Sequence, residues 1–461
     1  MQQSNEKSIT AARPQKPSAW LWVPWIWLFF ASTRTISTWL LWDHRDTASA
    51  LDLTSPADEV VMIMLMILGL YVLGVRAQRV KRILNKNKWV IVLFLYMAMT
   101  IIWSNFPGIS LRRDVRSTGV LIMVLVVLSE RDPLAAVRTL LWRLFVVHIP
   151  LSVLAIKFMR SIGVVYDWSG TSEQWVGLTT DKNSMGQVAM CAGIFFLWLI
   201  LQGGRKKKQV AYVILLAATL WILRGSRDVH SSTAILGFVT SALVLIGLQC
   251  IRGQASRAKR IVAAATITSA FLAPAVYIAF LAFGTTPVEA VLHATGRDIT
   301  LTDRTRIWTD LLNDASKSPV LGVGIGAFWV GDLGIDKYPM PNWSEKTPEW
   351  RPSEGHNGYL DTYVELGAVG LLLLLIVIGA GARGALDTMQ HDFLFGSLRA
   401  VMLLAILTNN VAETSFLKGT HDLWFLFLLT AINVPPLLRK ATKPQPAAEP
   451  ASAPAELAAA R

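Results

Sequence analysis

The chain is short of charged residues and of cysteine. Only 16% of its 461 residues are charged, whereas a soluble globular protein carries about 25%. That deficit excludes a disordered chain and an ordinary cytosolic enzyme. The two cysteines, Cys191 and Cys250, lie in apolar stretches, so they indicate buried small side chains rather than a disulfide framework or a metal site.

Several motifs with well-defined chemistry are missing as well. The sequence contains no HExxH, no Cys–His cluster, no acidic triplet at metal spacing and no GxSxG. We therefore expect no metal, no other cofactor and no nucleophile of the hydrolase type.

Apolar residues are abundant in place of charge. They make up 53% of the chain, and 18 residues are tryptophan, whose indole ring favours the membrane–water interface. At about 20 residues per span, this composition predicts an all-α polytopic membrane protein with about 12 transmembrane helices and one large outer loop. The apolar stretches place the helices near residues 20–38, 59–76, 89–104, 116–129, 138–156, 184–201, 209–223, 232–250, 261–283, 360–380, 397–412 and 421–438.

Basic residues predict the orientation of these helices. Clusters of Lys and Arg follow the second, sixth, eighth and last predicted helices, at residues 76–88, 205–208, 252–260 and 439–443. All four clusters fall on one side of the membrane, which the positive-inside rule makes cytoplasmic. Both termini are then cytoplasmic, and the net charge of +13 is explained without a nucleic-acid partner.

The prediction divides the chain into five parts. They are a cytoplasmic segment 1–19, helices one to nine in 20–283, a large outer loop 284–357, helices ten to twelve in 358–438, and a disordered Pro/Ala-rich cytoplasmic tail 439–461. The outer loop holds seven Lys/Arg and ten Asp/Glu, a net charge of −3. Its basic residues are therefore not orientation signals and need another explanation.

An amphipathic helix is predicted near the middle of the outer loop, from an N-cap at Thr302 or Asp303 to about Ser316. Arg304 shares its apolar face with Trp308, where an unpaired guanidinium is costly. Either a bound phosphate or a buried carboxylate would satisfy it. Arg306 lies on the other face, four residues before Asp310, which offers it a local ion pair.

Further cations fall on the same outer side of the predicted bundle. Arg297 precedes the helix, Lys182 lies at the mouth of the sixth span, and Arg224 and Arg227 lie at the mouth of the seventh. Each alone is better explained as a cation that reaches the lipid headgroups. Together they favour a site for a diphosphate, which arginine binds with a bidentate fork.

Two features near the end of the outer loop have alternative interpretations. The glycines at 322, 324 and 326 resemble a dinucleotide loop, but they follow a helix and lie outside the membrane, so a tight turn near the bilayer is favoured.

His356 precedes the tenth span. It is either a residue beside the helix cap with no chemical role, or a general base whose pKa near neutrality suits proton transfer.

Several segments, in order, resemble the O-antigen ligase/polymerase superfamily, and most closely its exopolysaccharide-polymerase (ExoQ-like, Wzy-type) branch. They extend over roughly residues 20–435 and are Arg34–Trp39, Trp175–Gly186, Ser231–Leu236, Gly296–Trp308, Pro319–Trp329, His356–Leu360 and Glu413–Ser415. The resemblance implies a helical bundle similar to the GT-C glycosyltransferases. It also implies an enzyme of the bacterial inner membrane that acts at the periplasmic face.

The resemblance also implies the reaction and its partners. Glycans carried on undecaprenyl diphosphate are joined by metal-independent inversion to another glycan unit or to lipid A core. Chain-length regulator and export proteins are possible partners. The loop histidine of the family falls on His356, its loop arginines on Arg297 and Arg304, and its basic residue before Asn on Lys182. Asn357 and Glu413 lie within the similar segments and are expected to support the site.

Two departures from the family pattern stand out. Asp181 replaces a residue that is commonly His, and Asp303 replaces a Gly before the arginine, where it could pair with a loop arginine. If His356 is structural, the next candidates for the base are Asp303, Glu354 and Glu413. The sequence separates a polymerase from a ligase poorly. A flippase for the same lipid-linked glycan is disfavoured, because a transporter typically has charged or broken helices at mid-membrane.

Overall fold

The computed structural model describes residues 16–41, 55–166, 170, 172–226, 229–250, 252, 302–344 and 352–435. These residues are mainly helical. Their α-helices are Trp22–Ala31, Ile36–Leu41, Pro56–Val75, Ala77–Lys86, Lys88–Thr100, Pro107–Leu128, Pro133–Phe158, Arg160–Gly163, Lys182–Leu201, Lys206–Arg224, Ser232–Cys250, Thr302–Ala315, Pro341–Ser344, Gly358–His391, Phe393–Asn409 and Asp422–Ala431. Short 3-10 helices cover Ala19–Leu21, Ile101–Trp103 and Gly331–Gly334, and the strands Val164–Tyr166 and Glu173–Trp175 pair antiparallel.

Five of these helices are long and apolar enough to cross a membrane. A sixth span is possible if the bent pair Ala77–Lys86 and Lys88–Trp103 counts as one. Helices overlap every predicted span except 261–283, which lies outside the described residues. The structure therefore agrees with an all-α polytopic membrane protein, while the number of twelve spans and the GT-C likeness remain predictions.

The charge pattern predicted a loop after the second predicted span. The structure has the helix Ala77–Lys86 there instead. Its axis makes an angle of 89° with the helix that follows. Ile83 is buried, and Val80 and Leu84 pack on the core, which gives the segment an apolar stripe at helical spacing. The dense Lys and Arg on its other face concealed this periodicity.

A break in the Gly358–His391 helix brings the glycine-rich segment against it. Gly367 has φ 67°, a left-handed value inside an otherwise helical stretch. The amides of Val323 and Gly324 donate to the carbonyls of Val364 and Glu365, at 3.1 and 2.9 Å. A Cβ on Gly322 would lie 2.4 Å from the Glu365 carbonyl oxygen, so only glycine fits there. The expected tight turn is confirmed.

A small apolar cluster lies where the Thr302–Ala315 helix meets the start of the Gly358–His391 helix. It contains Trp308 and Leu311 from the first helix and Leu360 and Val364 from the second, and the glycine-rich segment adds Phe328. Trp308, Leu311 and Ala315 are all buried, which confirms the predicted apolar face. The packing fixes the helix that carries Arg304 against the residues that follow His356.

Candidate functional site

The site forms where the start of the Gly358–His391 helix meets the turn after the Phe393–Asn409 helix. Asn357 is the N-cap: its side-chain oxygen accepts from the amides of Tyr359 and Leu360, both at 3.1 Å. Its own amide donates to Thr414 Oγ1 at 3.1 Å. The next amide, of Gly358, donates to the carbonyl of Glu413 at 3.1 Å. These bonds tie the segment that carries His356 to the turn that carries Glu413.

Five charged side chains of alternating sign form a row at this junction, which we call the charge row. In order they are Lys418, Glu354, His356, Glu413 and Arg304. The Nδ1 atom of His356 lies 3.1 Å from Glu354 Oε1 and 3.2 Å from Glu413 Oε2. Lys418 pairs with the other oxygen of Glu354, and Arg304 Nη2 lies 2.9 Å from Glu413 Oε1.

His356 is held in its charged form by this arrangement. Burial lowers the pKa of the imidazole, but the two carboxylates outweigh it and raise the pKa from 6.5 to about 9. The pKa near neutrality that was expected for His356 as a general base is therefore wrong. Nδ1 faces both carboxylates, and no described residue hydrogen-bonds to Nε2. Since 27% of the side chain is exposed, Nε2 is the nitrogen that a substrate would meet.

Arg304 is satisfied by a buried carboxylate, one of the two partners expected for it. Its guanidinium bonds Glu413 and also the carbonyl of Ala412, at 2.6 Å. Glu413 is only 4% exposed, whereas the Arg304 side chain is 24% exposed. An arginine has five N–H donors, and these bonds occupy one on each terminal nitrogen. Arg304 can therefore bind an anion without releasing Glu413.

Glu354 and Lys418 extend the charge row beyond what was predicted. Burial alone would raise the pKa of Glu354, but Lys418 and His356 lower it well below its usual range. The sequence suggested Glu354 only as a substitute base, and it gave Lys418 no role. Lys418 lies between the last two predicted spans, in the same short connection as Glu413. That position was the one signal in the sequence that could have indicated a role at the site.

Glu354, His356 and Glu413 also place three ligand atoms within 4.8 Å of one another. No such acidic set is visible in the sequence, because Glu413 lies 57 positions from His356. Lys418 and Arg304 already neutralise the two carboxylates. A divalent cation would have to compete with both of these side chains, so the set is better suited to holding a charged imidazole than a metal.

Of the remaining predicted site residues, Lys182 and Arg224 are described, and neither forms a hydrogen bond or ion pair with the charge row. Lys182 starts the Lys182–Leu201 helix, and Arg224 ends the Lys206–Arg224 helix in an exposed position. Arg297, Arg227 and the side chain of Asp303 lie outside the described residues. Asp181, one of the departures from the family pattern, is the N-cap of the Lys182 helix and accepts from the amides of Asn183 and Ser184.

The predicted pair between Arg306 and Asp310 does not form among the described residues. Asp310 instead accepts from the side-chain nitrogen of Asn342 at 2.6 Å and from its amide at 3.3 Å. Asp310 is 2% exposed, and it anchors the short Pro341–Ser344 helix. Helical spacing alone could not reveal this partner, which is 32 positions away.

Beneath the site, sequence reasoning missed the role of Arg113. Its guanidinium donates to the carbonyls of Gly326, at 2.5 Å, and Trp329, at 2.8 Å. Glu365 accepts from the Gly326 amide at 2.9 Å. Arg113 thus ties the glycine-rich segment to the Pro107–Leu128 helix, and Glu365 ties it to the broken helix. In the sequence, Arg113 is only one of several arginines near the start of the predicted span 116–129.

Two comparisons with known proteins bear on these residues. Residues 176–375 match a family model described as O-antigen ligase, and this range contains Lys182, Arg304 and His356. The chain is also 25% identical over 382 residues to the exopolysaccharide production protein ExoQ of Rhizobium meliloti. That alignment covers 78% of this chain and 80% of the relative. Glu413 and Lys418 lie beyond the end of the family match.

Proposed function

Given that these matches support the O-antigen ligase/polymerase superfamily, with an ExoQ-like resemblance, we propose that the protein is a glycosyltransferase of the bacterial inner membrane. It polymerises undecaprenyl-diphosphate-linked oligosaccharide repeat units into exopolysaccharide or O-antigen. Transfer is inverting and independent of a metal, and it occurs on the periplasmic side. The charge row is the single observation that carries this proposal.

The chemistry demands little from the protein beyond what the charge row offers. A lipid diphosphate is a good leaving group, so the enzyme has to remove one proton from the acceptor hydroxyl and hold the negative charge of the departing diphosphate. As the new glycosidic bond forms, the bond from the anomeric carbon to the diphosphate breaks. Fixed cations and one base in a partly buried site are sufficient.

His356 is the proposed base, acting through Nε2. Its two carboxylate partners stabilise the imidazolium that forms when the hydroxyl proton is taken, as the carboxylate of a catalytic triad does. With a pKa of about 9, about 1% of the rings are neutral at pH 7. The neutral ring is thus a strong base that is present in a small fraction of the molecules, and the rate rises with pH as that fraction grows. The ion pairs with both carboxylates hold the ring in place.

Arg304 is the proposed ligand of the diphosphate at the charge row. Glu413 orients its guanidinium, and the free N–H donors match phosphate oxygens. Arg297, Lys182, Arg224 and Arg227 complete the diphosphate-binding set in this proposal. A second cation beside His356 is Lys418, which is close enough to Glu354 to pair with it.

An O-antigen ligase, which transfers the finished glycan to lipid A core, is the closest alternative. It needs the same base and the same cations, and it differs only in the acceptor. The name of the relative, an exopolysaccharide production protein, supports polymerisation.

A transporter of the lipid-linked glycan is the alternative from another class. The Gly367 break and the buried Glu365 are features expected of a transporter, and the sequence did not predict them. Here the backbone of the glycine-rich segment fills the break. Tyr96 Oη donates to the freed Leu366 carbonyl at 2.9 Å. A break closed in this way supports an anchoring role rather than a passage.

Purified protein incubated with a lipid-diphosphate repeat unit and, separately, with added lipid A core tests the proposal. A ladder of products on a gel is expected from the repeat unit alone. Transfer to lipid A core without a ladder would identify a ligase. If no new glycosidic bond forms, the protein is reconstituted into vesicles. Movement of the lipid-linked glycan across the vesicle membrane would then identify a transporter.

A further inference from the structure

His356 has a backbone conformation that needs support. Its φ is 50°, in the left-handed region that residues with a side chain rarely adopt. Such strain persists only where neighbouring groups hold it. The preceding Gly355 has no room for a side chain, because a Cβ there would lie 2.3 Å from Asp361 Oδ1 and 2.7 Å from Leu311 Cδ1.

Two buried side chains bind the backbone of Gly355, one at its C=O and the other at its N–H. Trp308 Nε1 donates to the Gly355 carbonyl at 2.7 Å. The Gly355 amide donates to both oxygens of Asp361, at 3.1 and 3.2 Å. Trp308 is 3% exposed and Asp361 4%, so neither contact is shared with bulk solvent. The residue before His356 is therefore fixed at both its N–H and its C=O.

The same contacts couple the histidine to Arg304. Trp308 follows Arg304 by four residues on one face of the Thr302–Ala315 helix. Asp361 lies within the first turn of the Gly358–His391 helix. A shift of either helix would move Gly355, and with it the imidazole relative to Glu354 and Glu413.

We propose that Trp308 and Asp361 are positioning residues for His356, which set its imidazole between the two carboxylates and in register with Arg304. This inference rests on the proposed function, since it concerns the same site. Neither residue touches the reacting atoms. Both act through Gly355, so their loss changes where the ring lies rather than which groups are present.

The test compares two tryptophan variants that lose the same kind of bond. Trp308→Phe removes the N–H that holds Gly355 and keeps a six-membered aromatic ring at this position. Trp198→Phe is the matched control. Trp198 Nε1 donates to the Leu394 carbonyl at 2.8 Å, the residue is 1% exposed, and it is not part of the charge row. Each variant is measured in two ways, by the rate of glycan transfer and by the His356 pKa. The pKa is read by NMR on histidine-labelled protein, with the signal assigned by its loss in His356→Gln.

The charged groups around His356 come from all the packed elements. Glu354 and Glu413 contact its ring, Lys418 and Arg304 pair with these two carboxylates, and Asp361 binds the neighbouring Gly355. Trp308→Phe leaves all of them in place. If the ring moves away from its carboxylates, its pKa falls from about 9 toward 6.5. We expect that fall in Trp308→Phe, together with about a tenfold loss of kcat at pH values where the ring is neutral in both proteins, and neither change in Trp198→Phe.

Asp361 is tested with a conservative pair of variants. Asp361→Asn keeps an oxygen that accepts from Gly355 and should retain part of the activity, whereas Asp361→Leu should lose the His356 pKa shift. An unchanged His356 pKa in both Trp308→Phe and Asp361→Leu would overturn the inference. The NMR readout needs no turnover. If the wild-type protein makes no glycosidic bond while the pKa still falls in Trp308→Phe, the proposed function fails and the positioning role stands.

Discussion

The Nδ1 atom of His356 lies 3.2 Å from Oε2 of Glu413, a residue 57 positions away in the chain. The other oxygen of Glu413 binds Arg304. One buried carboxylate thus joins the two residues that the sequence predicted as base and as phosphate ligand. Glu354 repeats the arrangement with Lys418 on the other side.

Replacement of His356 by alanine should nearly stop glycan transfer. The loss of a general base typically costs about 10²–10⁴ in rate. Binding of the lipid-linked donor should change little, because Arg304 stays paired with Glu413. The measurement is single-turnover transfer beside donor binding. Near wild-type turnover from pH 5.5 to 8 would show that His356 is structural.

The pH dependence of kcat/KM should reveal the charged resting state of His356. Because only the neutral ring can take a proton, kcat/KM should rise with pH and level off near 9. Glu354→Gln removes one of the groups that raise the pKa, so the same profile should shift to lower pH. A wild-type profile that falls as pH passes 9 would instead indicate that the imidazolium itself is required.

Arg304 and Arg306 lie on the same helix, so their alanine variants can be compared directly. Arg304→Ala removes the proposed phosphate ligand and leaves the buried Glu413 without one of its two cationic partners, so transfer should fall at least about 100-fold. Arg304→Lys should recover only part of this, because lysine lacks the fork that binds Glu413 and phosphate together. Arg306→Ala is the control and should be mild. Equal losses in Arg304→Ala and Arg306→Ala would contradict the assignment.

The ion pairs of His356 should also make stability depend on pH. The pKa of His356 is higher in the folded protein, about 9, than its ordinary 6.5. Its stabilisation is therefore fully present below 6.5 and is lost as pH rises through 9. The shift corresponds to about 3 kcal/mol at most. The melting temperatures of wild type and His356→Gln should differ most near pH 6 and converge near pH 9.5; a gap that widens with pH would oppose this account.

Membrane orientation gives a prediction that is independent of chemistry. Single cysteines introduced at Lys337 and Lys207, in a background without Cys191 and Cys250, should label oppositely with an impermeant thiol reagent. Lys337 should react from outside, and Lys207 should react only after the membrane is opened. Outside labelling at Lys207 would put the charge row on the cytoplasmic side and remove the proposed substrate from its reach.

Much of the helical pattern was predictable, because apolar runs and helical spacing are local signals. The Thr302–Ala315 helix and its apolar face through Trp308 followed from spacing alone. The Ala77–Lys86 helix did not, since its basic residues dominated the pattern. The break at Gly367 depends on backbone bonds to Val323 and Gly324, which no local pattern specifies.

The charge row shows the same limit. His356 and Arg304 could be proposed from position and resemblance, but their common partner Glu413 comes from a turn beyond the next helix. The His356 pKa depends on both carboxylates, so a sequence that gives only the residue type predicts the ordinary value. Asp310 is a similar case, because the near neighbour Arg306 is not its partner and the distant Asn342 is.

The most direct test is transfer of a labelled lipid-diphosphate repeat unit by purified protein, with wild type, His356→Ala and Trp198→Phe prepared in parallel. The account predicts a ladder of glycan products from wild type and from Trp198→Phe, and only traces from His356→Ala at equal donor binding. A ladder of undiminished intensity from His356→Ala would contradict the central claim that the charge row carries the transfer.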